Sequence, residues 1–203
     1  MGSWTHFAAA QAAVTNRFVT STNMKAATPY TLANAGAMPS AGARHVTCTR
    51  TVAGDADTPG TITITGKALN GQAISETLNV GAHGVVVAGT KWFASVNAVS
   101  GVGGGWVIDV GTSTNDTIVV GCGAECITAE GSGTLEAITV NTSSAGTITV
   151  ADANGTIAVL PTNQAVGNYE YHVTYSGYLS VILTGASDVT VIHGPSLPQT
   201  YSM

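Results

Sequence analysis

Charged side chains are scarce in this 203-residue chain: 8% of its residues are Asp, Glu, Lys or Arg, about a third of the usual share in a soluble domain. Six Lys and Arg against eleven Asp and Glu leave a net charge of −5, which argues against nucleic-acid binding through phosphate neutralisation. The deficit is uneven. All six basic residues (Arg17, Lys25, Arg44, Arg50, Lys67, Lys91) fall in residues 1–91, which carry +3, whereas residues 92–203 hold eight acids and no Lys or Arg. Such a split suits a basic half facing an acidic partner, and equally suits drift in a charge-poor chain.

Cysteine is scarce too. Cys48, Cys122 and Cys126 are too few for a secreted disulfide framework, so folding in a cytoplasm is expected. Cys122 and Cys126 form a C-x3-C pair without a second Cys/His pair at zinc spacing. They read as two thiols in a Gly-rich turn, free or bridged locally. Long apolar runs are missing, and no stretch nears the ~18–20 residues of a membrane span. The start lacks a charged leader, and His6 stands where a myristoylation signal needs Ser or Thr, so neither export nor anchoring is expected.

Catalytic signatures are also absent. There is no G-x-S-x-G elbow, and Gly101-Val102-Gly103-Gly104-Gly105-Trp106 lacks the last glycine and the Lys-Ser/Thr of a phosphate loop. Asp55-Ala56-Asp57 and Asp152-Ala153-Asn154-Gly155 resemble pieces of calcium loops without the later Glu, and read as Asx turns. The histidines His6, His45, His83, His172 and His193 form no metal-binding pair, although Glu170 and His172 share a strand face as an acid/base couple would. No catalytic, cofactor-binding or metal-binding residue is assigned, and a non-enzyme is expected.

What is abundant is Thr, Val, Ile and Gly in period two. Thr61-Ile62-Thr63-Ile64-Thr65 is a half-buried strand, Asn70-Gly71 a hairpin turn, and residues 73–78 the return strand. Further strands are predicted at 85–88, 92–100, 106–110 and 117–120, making a β-domain over 45–130. Gly131-Ser132-Gly133 reads as a linker. A second β-domain over 131–194 has strands at 134–140, 146–151, 156–160, 169–175, 179–183 and 189–193, with Asn154-Gly155 as another hairpin turn. Residues 195–203 are a Pro-containing tail that cannot extend the sheet. Residues 1–44 differ: Trp4, Phe7, Val14 and Phe18 fit a short helical seam around an Ala-rich run, followed by Gly- and Pro-punctuated chain. The expected fold is all-β, two small antiparallel sandwich- or barrel-like units with an extended, partly helical N-terminal arm. Trp4, Phe7 and Phe18, with Arg17 and Lys25, are the candidate partner-binding residues, because solvated tails rarely carry spaced aromatics.

The runs Ala43-Arg44-His45-Val46-Thr47-Cys48-Thr49, Gly60 to Gly66, Leu69-Asn70-Gly71-Gln72-Ala73-Ile74-Ser75-Glu76-Thr77-Leu78 and Gly89-Thr90-Lys91-Trp92-Phe93-Ala94-Ser95-Val96 resemble a group of tailed-bacteriophage virion proteins. The stretches from Gly146 to Val150, Tyr169 to Tyr171 and Thr184 to Val191 look like a second small β module of phage structural proteins. Together they span about 150 of the 203 residues; the 1–44 segment has no counterpart. The resemblance implies a virion component made in the host cytoplasm, whose partners are the major capsid protein or other virion subunits, and copies of itself. It implies no nucleic acid, no membrane and no cofactor. A capsid decoration (cement) protein is the role expected first. A neck or tail component (collar, adaptor or fibre-attachment ring) and a glycan-binding adhesin or fibre domain, with Trp92, Trp106 and the tyrosines as stacking platforms, are the alternatives.

Overall fold

The computed structural model describes residues 2–7, 12–24, 29–52, 60–101 and 116–195. Within them the chain is all-β. The strands are β1 (Ser3–Phe7), β2 (Val14–Asn23), β3 (Ala43–Thr51), β4 (Thr61–Lys67), β5 (Ala73–Asn79), β6 (Val86–Phe93), β7 (Ser95–Gly101), β8 (Thr117–Glu130), β9 (Gly133–Thr142), β10 (Ile148–Asp152), β11 (Gly155–Leu160), β12 (Gly167–Tyr175), β13 (Tyr178–Leu183) and β14 (Asp188–Pro195). A 3-10 turn at Ala33–Gly36 is the one helical element among the described residues.

The chain divides into two compact units. The central unit comprises Ala13–Pro39 and Ala43–Gly123. Its antiparallel sheet β5-β4-β7 is built on the Thr/Ile alternation: Ile62 and Ile64 are fully buried, and Ile62 pairs with Leu78 across the Asn70-Gly71 hairpin. β3 pairs with β6, and β2 with the first half of β8. Phe18, Val46, Phe93, Ile118 and Val120 join Ile62, Ile64, Leu78 and Val99 in one buried cluster.

The C-terminal unit comprises Met1–Ala12, Ser40–Gly42 and Ala124–Met203. One of its sheets has the order β1-β14-β9-β12; in the other, β11, β10, β13 and the second half of β8 lie side by side. Phe7, Leu135, Ile138, Val140, Val150, Leu179, Val181, Val189 and Val191 share its buried cluster.

The helical arm is corrected. Residues 3–7 and 14–23 are strands. An isolated helix of this length is marginal in water, whereas pairing β1 with β14 buries Phe7 completely. The Gly-rich turn around the thiols is corrected as well, because β8 runs unbroken through Gly121-Cys122-Gly123. Gly121 lies there because β2 presses on it: a Cβ at that position would collide with the Val14 carbonyl oxygen. Gly131-Ser132-Gly133 is the tight turn joining β8 to β9, with Gly131 at φ +88°. The strand expected over 92–100 is two, β6 and β7, parted at Ala94, whose N–H donates to the Lys67 carbonyl. The strand expected at 106–110 lies outside the described residues, as do the Asp55-Ala56-Asp57 turn and the Gly-rich loop from Val102.

Candidate partner-binding surface

The five residues chosen from the N-terminal segment have different fates. Phe7 and Phe18 are 0% exposed and fill the cores of the C-terminal and central units respectively. That corrects the choice of these two rings as partner-binding residues of an arm: strand alternation turns both inward. Arg17 is spent on the chain's own backbone. Its Nε donates to the Ala37 carbonyl at 2.7 Å and its Nη2 to that of Met38 at 3.1 Å, while Asn34 Nδ2 donates to the Arg17 carbonyl. Lys25 lies outside the described residues. Trp4 alone stands out, 66% exposed on the edge strand β1.

Around Trp4 the outward-facing residues of four strands align in rows. Trp4 lies opposite Ile192, Ile192 opposite Ala137, and Ala137 opposite Glu170. A second row runs His6, Thr190, Thr139, Asn168. Hydrogen bonds fix these side chains. His6 Nε2 lies 2.7 Å from Asp188 Oδ1, Asn141 Nδ2 donates to Asp188 Oδ1 at 2.9 Å and to Thr190 Oγ1 at 3.1 Å, and Thr139 Oγ1 donates to Asn168 Oδ1 at 2.9 Å. The Asn141 hydrogen bond, helped by His6 against partial burial, holds the Asp188 carboxyl below its ordinary value.

Glu170 and His172 meet, though not as a regular strand would bring them. A bulge in β12 sets His172 at φ +53°, a left-handed conformation uncommon outside glycine. Its Nδ1 lies 3.0 Å from Glu136 Oε2 and its Nε2 3.7 Å from Glu170 Oε2. The hydrogen bond to Glu136 leads in raising the imidazole pKa. Sequence reasoning found Glu170 and missed Glu136, which is 36 residues from His172.

The thiols are built into the cores. Cys122 and Cys126 are buried thiols. Four residues apart on one strand, they are separated by about 13 Å, beyond the reach of a disulfide. Burial pushes the Cys48 thiol up to about 12 and raises that of Cys122 against the opposing Arg44 charge, so neither supplies a thiolate nucleophile near neutrality. His45 is not joined to them as a ligand set: its ring stacks on Trp92 with centroids 3.5 Å apart, and no group of three or more His, Cys, Asp or Glu suited to a metal occurs among the described residues. That stack occupies one face of Trp92, Tyr175 is buried, and Trp106 lies outside the described residues.

Charge also divides between the units, less sharply than between the halves of the sequence. The C-terminal unit holds Glu125, Glu130, Glu136, Asp152, Glu170 and Asp188 and no Lys or Arg, a net −6; the central unit has every basic residue and Asp55, Asp57, Glu76, Asp109 and Asp116, a net +1. The chain matches no protein-family model, no curated protein and no solved structure.

Proposed function

We propose that the chain is a non-enzymatic structural protein of a tailed-phage virion, a decoration (cement) protein bound in many copies to the assembled head. The observation that carries this reading is the pairing of β1 with β14, which staples the first strand to the last over five residue pairs. Phe7 on β1 and Phe18 on β2 are each locked in a buried core. Each unit is read as a small β-sandwich, because each buried cluster draws side chains from two sheets. Such a body suits static, repeated contacts. Its surface is short of charge, and many copies sum modest interfaces into substantial shell stabilisation. A cement protein binds the mature lattice in preference to the free shell subunit, so mass action stabilises the lattice.

Particles made without the chain test this. They should assemble and carry tails, yet rupture at lower temperature or on osmotic shock, and adding purified protein back should restore them to saturation. Intact heads that lack tails or fail to adsorb would overturn the decoration role.

A further inference from the structure

The outward face of the sheet β1-β14-β9-β12 combines features found nowhere else among the described residues. One indole stands 66% exposed amid side chains that both donate and accept hydrogen bonds, in a unit with no Lys or Arg. Its polar groups are already held in place by one another, so ordering them on binding costs little. They also keep unused capacity. Asn141 Oδ1, Asp188 Oδ2 and the amide hydrogens of Asn168 meet no partner among the described residues.

We propose that this face binds a neutral glycan, with Trp4 as the stacking platform and Asn141, Asp188, Asn168 and Glu170 as hydroxyl partners. A pyranose presents an apolar C–H face and a rim of hydroxyls, each at once donor and acceptor. An exposed ring answers the first, and fixed carboxylate and amide groups answer the second. From Trp4 to Glu170 is three strand spacings, about 14 Å, the span of a short oligosaccharide. The charge disfavours anionic sugars: the unit holds six acids and no Lys or Arg, and its His6 and His172 are already engaged by Asp188, Glu136 and Glu170. It also distinguishes a glycan from a protein partner, whose interface centres on a cluster of buried apolar anchors inside a polar rim. Here a single exposed aromatic stands beside half-buried Ile192, and every other residue of the two rows except buried Ala137 is polar. This ligand site does not depend on attachment to a shell.

The test is affinity electrophoresis of the full chain in native gels containing mannan, dextran or galactomannan, with alginate and heparin as anionic controls. Retardation is expected in at least one neutral gel and in neither anionic one. Trp4→Ala should weaken binding at least tenfold, Asn141→Ala should weaken it measurably, and Trp4→Phe should retain part of it. Because Trp4 is exposed, Trp4→Ala should melt where the parent does. No retardation by any of the neutral polysaccharides, retardation only by the anionic ones, or an unchanged Trp4→Ala variant would overturn the site. Loss of particle attachment by Trp4→Ala without glycan binding would also overturn it and assign the indole to a protein contact.

Discussion

Phe7 and Val189 stand opposite one another across the β1–β14 pair, both fully buried, so a residue near the start of the chain completes a core otherwise made from its last eighty residues. Phe7→Ala should therefore destabilise the protein by about 3–5 kcal/mol. Deleting residues 1–30 removes Phe7, Phe18, Val19 and Met24 from the cores, and should abolish the β-sheet circular dichroism. A truncated chain that keeps its sheet signal would show that these strands are dispensable.

Arg50 and Asp116 form an ion pair at 3.7 Å in which Asp116 is fully buried and Arg50 nearly so. Desolvation offsets much of such a pair's attraction, but removing one member takes this countercharge from the other while it stays buried. Asp116→Ala should cost about 3–5 kcal/mol in chemical denaturation, and an Arg50→Met/Asp116→Leu double variant should cost distinctly less. Equal losses in the two variants would show that the pair itself contributes most of the stability.

Stability should fall in two steps on acidification. The buried His193 ring has its Nε2 unpaired, and burial holds its pKa below the ordinary value. Its contribution is full above about pH 6.5 and is lost as pH falls through the lowered folded value. Asp152 is held low by the Ser176 backbone N–H first, then by Asn154 and Gly155. Its contribution, like that of Asp188, is full above about pH 4 and is lost as pH falls through the depressed folded value. His172 has the opposite sign: its raised pKa gives stability below about pH 6.5 that is lost as pH rises through the folded value. Thermal melts across pH should show the upper step vanish in His193→Phe and the lower step shrink in Asp152→Asn. Persistence of both steps in the double variant would assign them to other groups.

Attachment to particles should be nearly independent of salt up to about 0.5 M, where exposed charges are strongly screened, because only 8% of residues are charged. Release of most copies by salt alone, measured by sedimentation of particles, would show that contacts made by the basic residues dominate.

Local pattern was legible wherever the partner strand was close in sequence. Thr61 to Thr65, Asn70-Gly71 and Ala73 to Leu78 carry strand, turn and return within 20 residues, and the hairpin follows. The Asx turn at Asp152 was legible for the same reason, since its first acceptor bonds reach only to Asn154 and Gly155. The N-terminal strands were not, because their partners lie far away: Trp4 meets Ile192 and Val19 meets Val120. Apolar residues spaced three and four apart, Trp4–Phe7 and Val14–Phe18, beside alanines fit a helix locally, and tertiary pairing overrides that preference. Gly121 and Gly123 read as turn residues, although Gly121 answers the close approach of β2, a contact with no local signature. Of the surface, the choice of Trp4 was legible and its neighbours were not: His6, Asn141 and Asp188 meet only through strand register.

The decoration role is tested most directly by counting copies of the chain on purified virions by quantitative mass spectrometry. Decoration predicts hundreds of copies per particle in a fixed ratio to the major shell subunit. A count of a dozen or fewer would contradict it and place the chain in a ring at the neck or tail.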